Sequence, residues 1–225
     1  MFEKRTATLQ AETEPLELDL DRLAVINIDM QNAFVSQGGM FDLLGVDIGG
    51  SRQVIQPIKN IMTAARAQKI KVVHIAHRLN PDLVELGPVS IYNCNRFVQS
   101  WRDKPEWRDR MILRGTWGAE IIEELQPLPD EIVVEKPRYS AFAGTNLDEI
   151  LRTFDIRYLI FTGVATNVCV ESSIRYAYHL EYFPVLVADA SAAAPPERHE
   201  SSIANIKQCF GRVTTTEEVL KVMGY

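Results

Sequence analysis

The sequence predicts an α/β domain, a three-layer α/β/α arrangement around a central, mostly parallel sheet. Three observations predict it. Short apolar runs alternate with stretches of helical periodicity along the 225 residues. The first four runs are rich in Val and Ile and alternate little between apolar and polar, as strands covered on both faces do. No internal repeat or low-complexity linker interrupts them, so residues 1–225 read as one domain.

The elements follow in order. Residues 1–22 hold six acidic residues and the alternating Leu16, Leu18 and Leu20, which read as an extended arm along the domain. The first strand is Leu23–Ile28. A helix over Ser51–Ala67 places Val54, Ile55, Ile58, Ile61, Met62 and Ala65 on one face. The second strand is Ile70–Ile75. Residues 76–117 are then long for a loop; they hold Trp101, Trp107 and Trp117 and seven Lys/Arg against five Asp/Glu. Such a segment is a lid over a substrate, a packed excursion or an oligomer contact. A third strand, Glu131–Glu135, precedes a helix over Thr145–Phe154 with Thr145 as its N-cap and Leu147, Ile150 and Leu151 facing inward. Strand Arg157–Thr162, helix Val168–Tyr182, strand Pro184–Ala188, helix Pro195–Gln208 and strand Arg212–Thr215 follow. The last helix, Thr216–Met223, has Thr followed by Glu and then apolar positions at helical spacing.

Composition narrows the function classes. Hydrophobic residues at 46% and charged residues at 24% exclude a disordered or fibrous chain. A formal charge of −6 disfavours a general binder of nucleic acid or anionic membrane. Met1–Arg22 lacks the apolar core of a signal peptide, and no apolar run approaches the ~20 residues of a membrane span. Cys94, Cys169 and Cys209 are odd in number and widely spaced, which argues against a disulfide framework and for a cytoplasmic, reducing location.

In an open parallel sheet, ligands bind beyond the carboxyl ends of the strands. Asp29 directly follows the first strand, Lys136 the third, and Cys169 lies just beyond the fourth. Alone, each has an ordinary reading: a turn carboxylate, a solvated lysine, a small buried cysteine. Together they deliver a general base, a cation and a nucleophile to one rim. An ammonium and a helix N-terminus would lower the thiol pKa, and the carboxylate would shuttle the proton. Asp189, after the fifth strand, reads as a structural hydrogen-bond acceptor. Cys94 and Cys209 have no charge pattern that marks them as reactive, and no G-x-S-x-G, Walker A or C-x-x-C motif appears.

Three separated motifs carry a resemblance. Ile28-Asp29-Met30-Gln31-Asn32-Ala33-Phe34, Lys136-Pro137-Arg138-Tyr139-Ser140-Ala141-Phe142 and Gly163-Val164-Ala165-Thr166-Asn167-Val168-Cys169-Val170 resemble the isochorismatase-like cysteine hydrolase superfamily, whose fold is Rossmann-like. The resemblance implies a catalytic triad of Asp29, Lys136 and Cys169. It also implies a cis peptide at Val164–Ala165, with the amides of Ala165 and Cys169 as the oxyanion hole. Asn32, Phe34, Arg138, Tyr139 and Phe142 are the expected substrate-binding residues. His74-Ile75-Ala76-His77 holds the only close His pair, with no Asp-x-His beside it, so neither metal nor cofactor is expected. Within the superfamily the motifs are most similar to those of ureidoacrylate amidohydrolases, which act in pyrimidine degradation.

The expectation is a metal-free amidohydrolase that cleaves a C–N bond of a small ureide through an acyl-enzyme on Cys169. Biuret or triuret hydrolysis, a nicotinamidase-like amidase, and a non-catalytic or thiol-redox assembly protein remain as alternatives. The expected partner is a small ureide or amide, and the resemblance implies a homo-oligomer, dimer or tetramer.

Overall fold

Every strand of the central sheet runs in the same direction. A computed structural model describes residues 4–89 and 103–225, so Cys94 and Trp101 lie outside the described residues. Along the chain the strands are β1 (Thr6–Leu9), β2 (Leu16–Asp19), β3 (Leu23–Ile28), β4 (Lys71–His77), β5 (Ile132–Lys136), β6 (Tyr158–Val164), β7 (Phe183–Ala192) and β8 (Arg212–Thr214). The last six form one parallel sheet in the order β5-β4-β3-β6-β7-β8. The helices are α1 (Asn32–Val35), α2 (Met40–Leu43), α3 (Gly49–Gln53), α4 (Ile55–Ala67), α5 (Leu147–Thr153), α6 (Glu171–His179), α7 (Pro196–Asn205) and α8 (Thr216–Val222).

The alternation of β3 explains the three layers. Leu23 and Val25 join Ile58, Ile61 and Met62 of α4 and Val219 of α8 in one core cluster. Ala24, Ile26 and Ile28 point the other way, against Leu147 and Leu151 of α5 and Ile174 and Ala177 of α6. All six residues of β3 are buried, which is why its sequence reads as an apolar run interrupted only by Asn27. Among the described residues, no helix is long and apolar enough to cross a membrane.

Several boundaries move, each for a physical reason. The arm folds back on itself: β1 and β2 pair antiparallel, Thr6 against Asp19, and bury Leu9 and Leu18. The Ser51–Ala67 helix is divided at Val54 between α3 and α4. Pro57 has no N–H to bond the carbonyl of Gln53, where α3 ends. Val168–Tyr182 begins as a wider, π-type turn over Thr166–Val170 before α6 starts at Glu171. Pro195–Gln208 likewise ends in a π-type turn, Ile206–Phe210. β7 runs on through Asp189 to Ala192 with an irregularity in its pairing to β6. Asp189 accepts from the N–H and hydroxyl of Thr216 at 2.7 and 3.0 Å, as a structural acceptor should.

Candidate active site

The floor of the site is built from strand ends. Asp29 follows β3 with a left-handed φ of 53°, its N–H donating to the Ile75 carbonyl at 2.9 Å. This turn swings the carboxylate over the rim. Lys136 is the last residue of β5 and is fully buried, and Cys169 lies in the turn between β6 and α6. Gly163 makes that turn possible: its φ is +107°, and a Cβ there would stand 2.0 Å from the Ile28 carbonyl oxygen. The peptide bond that follows, Val164–Ala165, is cis, as the resemblance implied.

Lys136 Nζ lies 2.8 Å from Asp29 Oδ2 and 3.4 Å from Cys169 Sγ, and donates to the Arg138 carbonyl at 3.1 Å. The Asp29 carboxylate is buried, with Lys136 as its ion-pair partner and the Cys169 thiol and the His77 backbone beside it. The Cys169 turn is anchored from α6, where the Ser173 hydroxyl donates to the Cys169 carbonyl at 2.6 Å and accepts from the Ala141 N–H at 2.9 Å.

Electrostatics correct one expectation. Burial pushes the Cys169 thiol pKa well up, and neighbouring Lys136 offsets only part of that. Cys169 also sits in the π-type turn ahead of the helix rather than at its first amides. Burial thus disfavours the thiolate form that the neighbouring ammonium favours. Burial likewise raises the Asp29 pKa against the opposing pull of Lys136, making the carboxylate a stronger base than an exposed one.

Above this floor lies a cavity of about 260 Å³, lined by Asp29, Cys169, Phe34, His77, Arg138 and Tyr139, among others. The 76–117 segment supplies much of its apolar wall. Leu79, Leu83, Leu86, Met111, Ile112 and Leu113 all face it, with Leu79 bridged to Leu113. Ala165, half-buried, also lines it.

Two expected binding residues are not brought to the cavity. Asn32 donates to the Trp117 carbonyl at 3.0 Å and accepts from Ser36 at 2.8 Å, so its amide is spent on local structure. Phe142 is buried in the core, stacked on Tyr176 with centroids 5.8 Å apart.

The chain matches the isochorismatase domain over residues 23–218. It belongs to the isochorismatase family. Its fold and family are those expected from the three motifs. Among isochorismatase-family relatives, it is 42% identical over 217 residues to ureidoacrylate amidohydrolase RutB from Rhizobium rhizogenes, covering 95% of this chain and 88% of that one. It is 41% identical to the same enzyme from Agrobacterium fabrum over 219 residues, 96% of each chain. Among solved structures, a cysteine hydrolase from Pseudomonas syringae pv. phaseolicola matches with a TM-score of 0.78 and 32% identity, covering 92% and 94% of the two chains.

Two residues of this isochorismatase-family site escaped the sequence reading. His77 lines the cavity, and one of its ring nitrogens, an Asp29 oxygen and Cys169 Sγ lie within 4.8 Å of one another. Sequence reading weighed His77 only as a metal ligand. These three are, among the described residues, the group close enough to hold a metal ion. Lys136 already sets its positive charge against two of them. Gln31 is fully buried and braces the rim: its amide donates to the carbonyls of His77 (3.0 Å) and Ala119 (2.8 Å) and accepts from the His77 N–H at 2.7 Å. The signal for both was their place, at or next to a strand's carboxyl end.

Proposed function

We propose that the protein is a cysteine amidohydrolase that cleaves a C–N bond of a small ureide of the ureidoacrylate type. The observation that carries the reading is the buried trio of Asp29, Lys136 and Cys169 on the floor of one cavity, in a chain 42% identical to a ureidoacrylate amidohydrolase. Cys169 attacks the ureide carbonyl while Asp29 takes the thiol proton. The amides of Ala165 and Cys169 receive the developing oxyanion; one such donor typically contributes ~10²–10³ in rate. As the C–N bond breaks, Asp29 returns the proton to the leaving nitrogen and a thioester-type acyl-enzyme remains. Water then attacks that intermediate, giving its proton to Asp29, and the thiol is regenerated. No metal or cofactor takes part in these steps.

Arg138 favours ureidoacrylate over biuret or triuret. It lines the cavity, half-buried, and its guanidinium donates to the Pro137 carbonyl at 3.0 Å. Its remaining donors suit a substrate carboxylate, which biuret and triuret lack. The reaction belongs in a reducing, cytoplasmic setting, which keeps the nucleophilic thiol free. The test is rapid-quench mass spectrometry of the intact protein with ureidoacrylate. A covalent adduct is expected, absent in Cys169→Ala; turnover undiminished in that variant would overturn the mechanism.

A further inference from the structure

The cavity presents its polar groups unevenly. Arg138 only donates, Cys169 is the attacking atom, and the Asp29 carboxylate faces Lys136 at 2.8 Å. Leaving aside the reacting pair, the side chains lining it that carry a nitrogen or oxygen acceptor, among the described residues, are His77 and Tyr139. A ureide is the reverse kind of molecule: each of its nitrogens carries N–H donors that lose water on entering an apolar-walled site. A buried donor left without an acceptor costs about 1–3 kcal/mol.

His77 is held ready for that task. Gln31 fixes its backbone on both sides, N–H and carbonyl, at 2.7 and 3.0 Å. Burial, and then the charges of Lys136 and Arg138, keep its imidazole uncharged. A neutral imidazole has one N–H and one lone pair. The Pro137 carbonyl, which can only accept, neighbours the imidazole and favours the tautomer whose N–H points at it. The other nitrogen is left as an acceptor, and the Tyr139 ring stands edge-on at 6.4 Å, limiting how the imidazole turns.

We propose that His77 is a specificity-determining residue, its ring nitrogen accepting a hydrogen bond from a substrate N–H beside the carbonyl that Cys169 attacks. The cavity thereby favours ureides and amides bearing N–H over esters of the same size. A site built to bond an N–H rejects analogues that lack it, because its own polar group is then stranded. This inference rests on the reading of Cys169 as the nucleophile toward a ureide.

The experiment compares kcat/KM for ureidoacrylate with that for p-nitrophenyl acetate, which can acylate the same thiol but carries no N–H. The ratio is measured in the parent, His77→Ala, His77→Asn and His77→Gln. His77→Ala is expected to lower the ureide-to-ester ratio by about 10–100-fold, whatever loss the two substrates share. At least one of His77→Asn and His77→Gln, which keep an acceptor oxygen, should recover most of it. An unchanged ratio in His77→Ala would overturn the inference, as would Asn and Gln variants no better than Ala. A parent that turns over the ester through Cys169 but not the ureide would instead remove the functional reading, and this inference with it.

Discussion

Burial works against the charge of Lys136, yet its partners, the Asp29 carboxylate foremost, hold the lysine pKa above its ordinary value. That direction favours the ammonium and leaves the carboxylate and the thiol as the pair to exchange a proton. Because burial raises the Asp29 pKa above the usual 3.8, its protonation begins at a higher pH than for an exposed aspartate. A protonated Asp29 cannot accept from Cys169, so kcat/KM for the ureide should fall on an acid limb centred above pH 3.8. Asp29→Asn should lose about 10²–10⁴ in kcat/KM; stopped assays from pH 4 to 9 test both. An acid limb that persists unshifted in a still-active Asp29→Asn enzyme would assign it to another group. His77 shows why part of the site was illegible in the sequence. The proposed triad residues follow apolar runs and announce themselves by type, whereas His77, read only as one of a close pair, acquires its proposed role only through the strand next door.

At the scale of elements, a polar chain crosses the apolar sheet. Thr162 of β6 donates to Asn27 of β3 at 3.4 Å; the Asn27 amide meets His74 of β4 at 3.5 Å, and His74 meets Glu131 beside β5 at 3.1 Å. Arg66 of α4 closes the row with two 2.8 Å bonds to Glu131. Burial works against the Glu131 charge, but Arg66, the Leu128 N–H and His74 together lower its pKa to about 2. Its contribution to stability is therefore complete above the ordinary value of 4.5 and disappears as pH falls through about 2. His74 acts at higher pH. Burial lowers its pKa, so the fold favours the neutral ring, and stability falls as pH drops below the ordinary 6.5. Urea unfolding between pH 3 and 7 should show both losses, and Glu131→Gln should cost roughly 2 kcal/mol at pH 7 and flatten the acid decline. An unchanged slope would exclude the cluster as its source. This row sits within runs that were legible as strands, since single polar residues do not hide a stretch of Val and Ile. The π-type turns were not legible, because their extra residue is set by where the helix must land on the sheet. The sequence ends the fifth strand at Ala188, but β7 continues through Asp189, whose carboxylate is satisfied by Thr216 across space.

For the molecule as a whole, one edge of the sheet is covered by the N-terminal hairpin. At β8 the tip of the N-terminal hairpin pairs with the strand, Glu12 and Val213 exchanging hydrogen bonds at 2.8 and 3.0 Å. Glu12 and Glu14 also pair with Lys207 and Arg212. Alternating leucines identified an extended segment there, but the return turn had no apolar signature and was read as a single arm. Deleting residues 1–19 should lower the melting temperature and produce concentration-dependent association, because it uncovers an open strand edge together with the sites of Leu9 and Leu18. Light scattering and thermal melts check this; a monodisperse variant with unchanged melting would show that the hairpin seals nothing. At the opposite end of the scheme, the cavity floor keeps its own account of charge. One carboxylate, one ammonium and one thiol sum to zero, and passing the proton from sulfur to carboxylate leaves that sum untouched. In the proposed mechanism, acylation can thus run behind a largely apolar wall without importing an ion from solvent, and water is required only when the acyl group must leave.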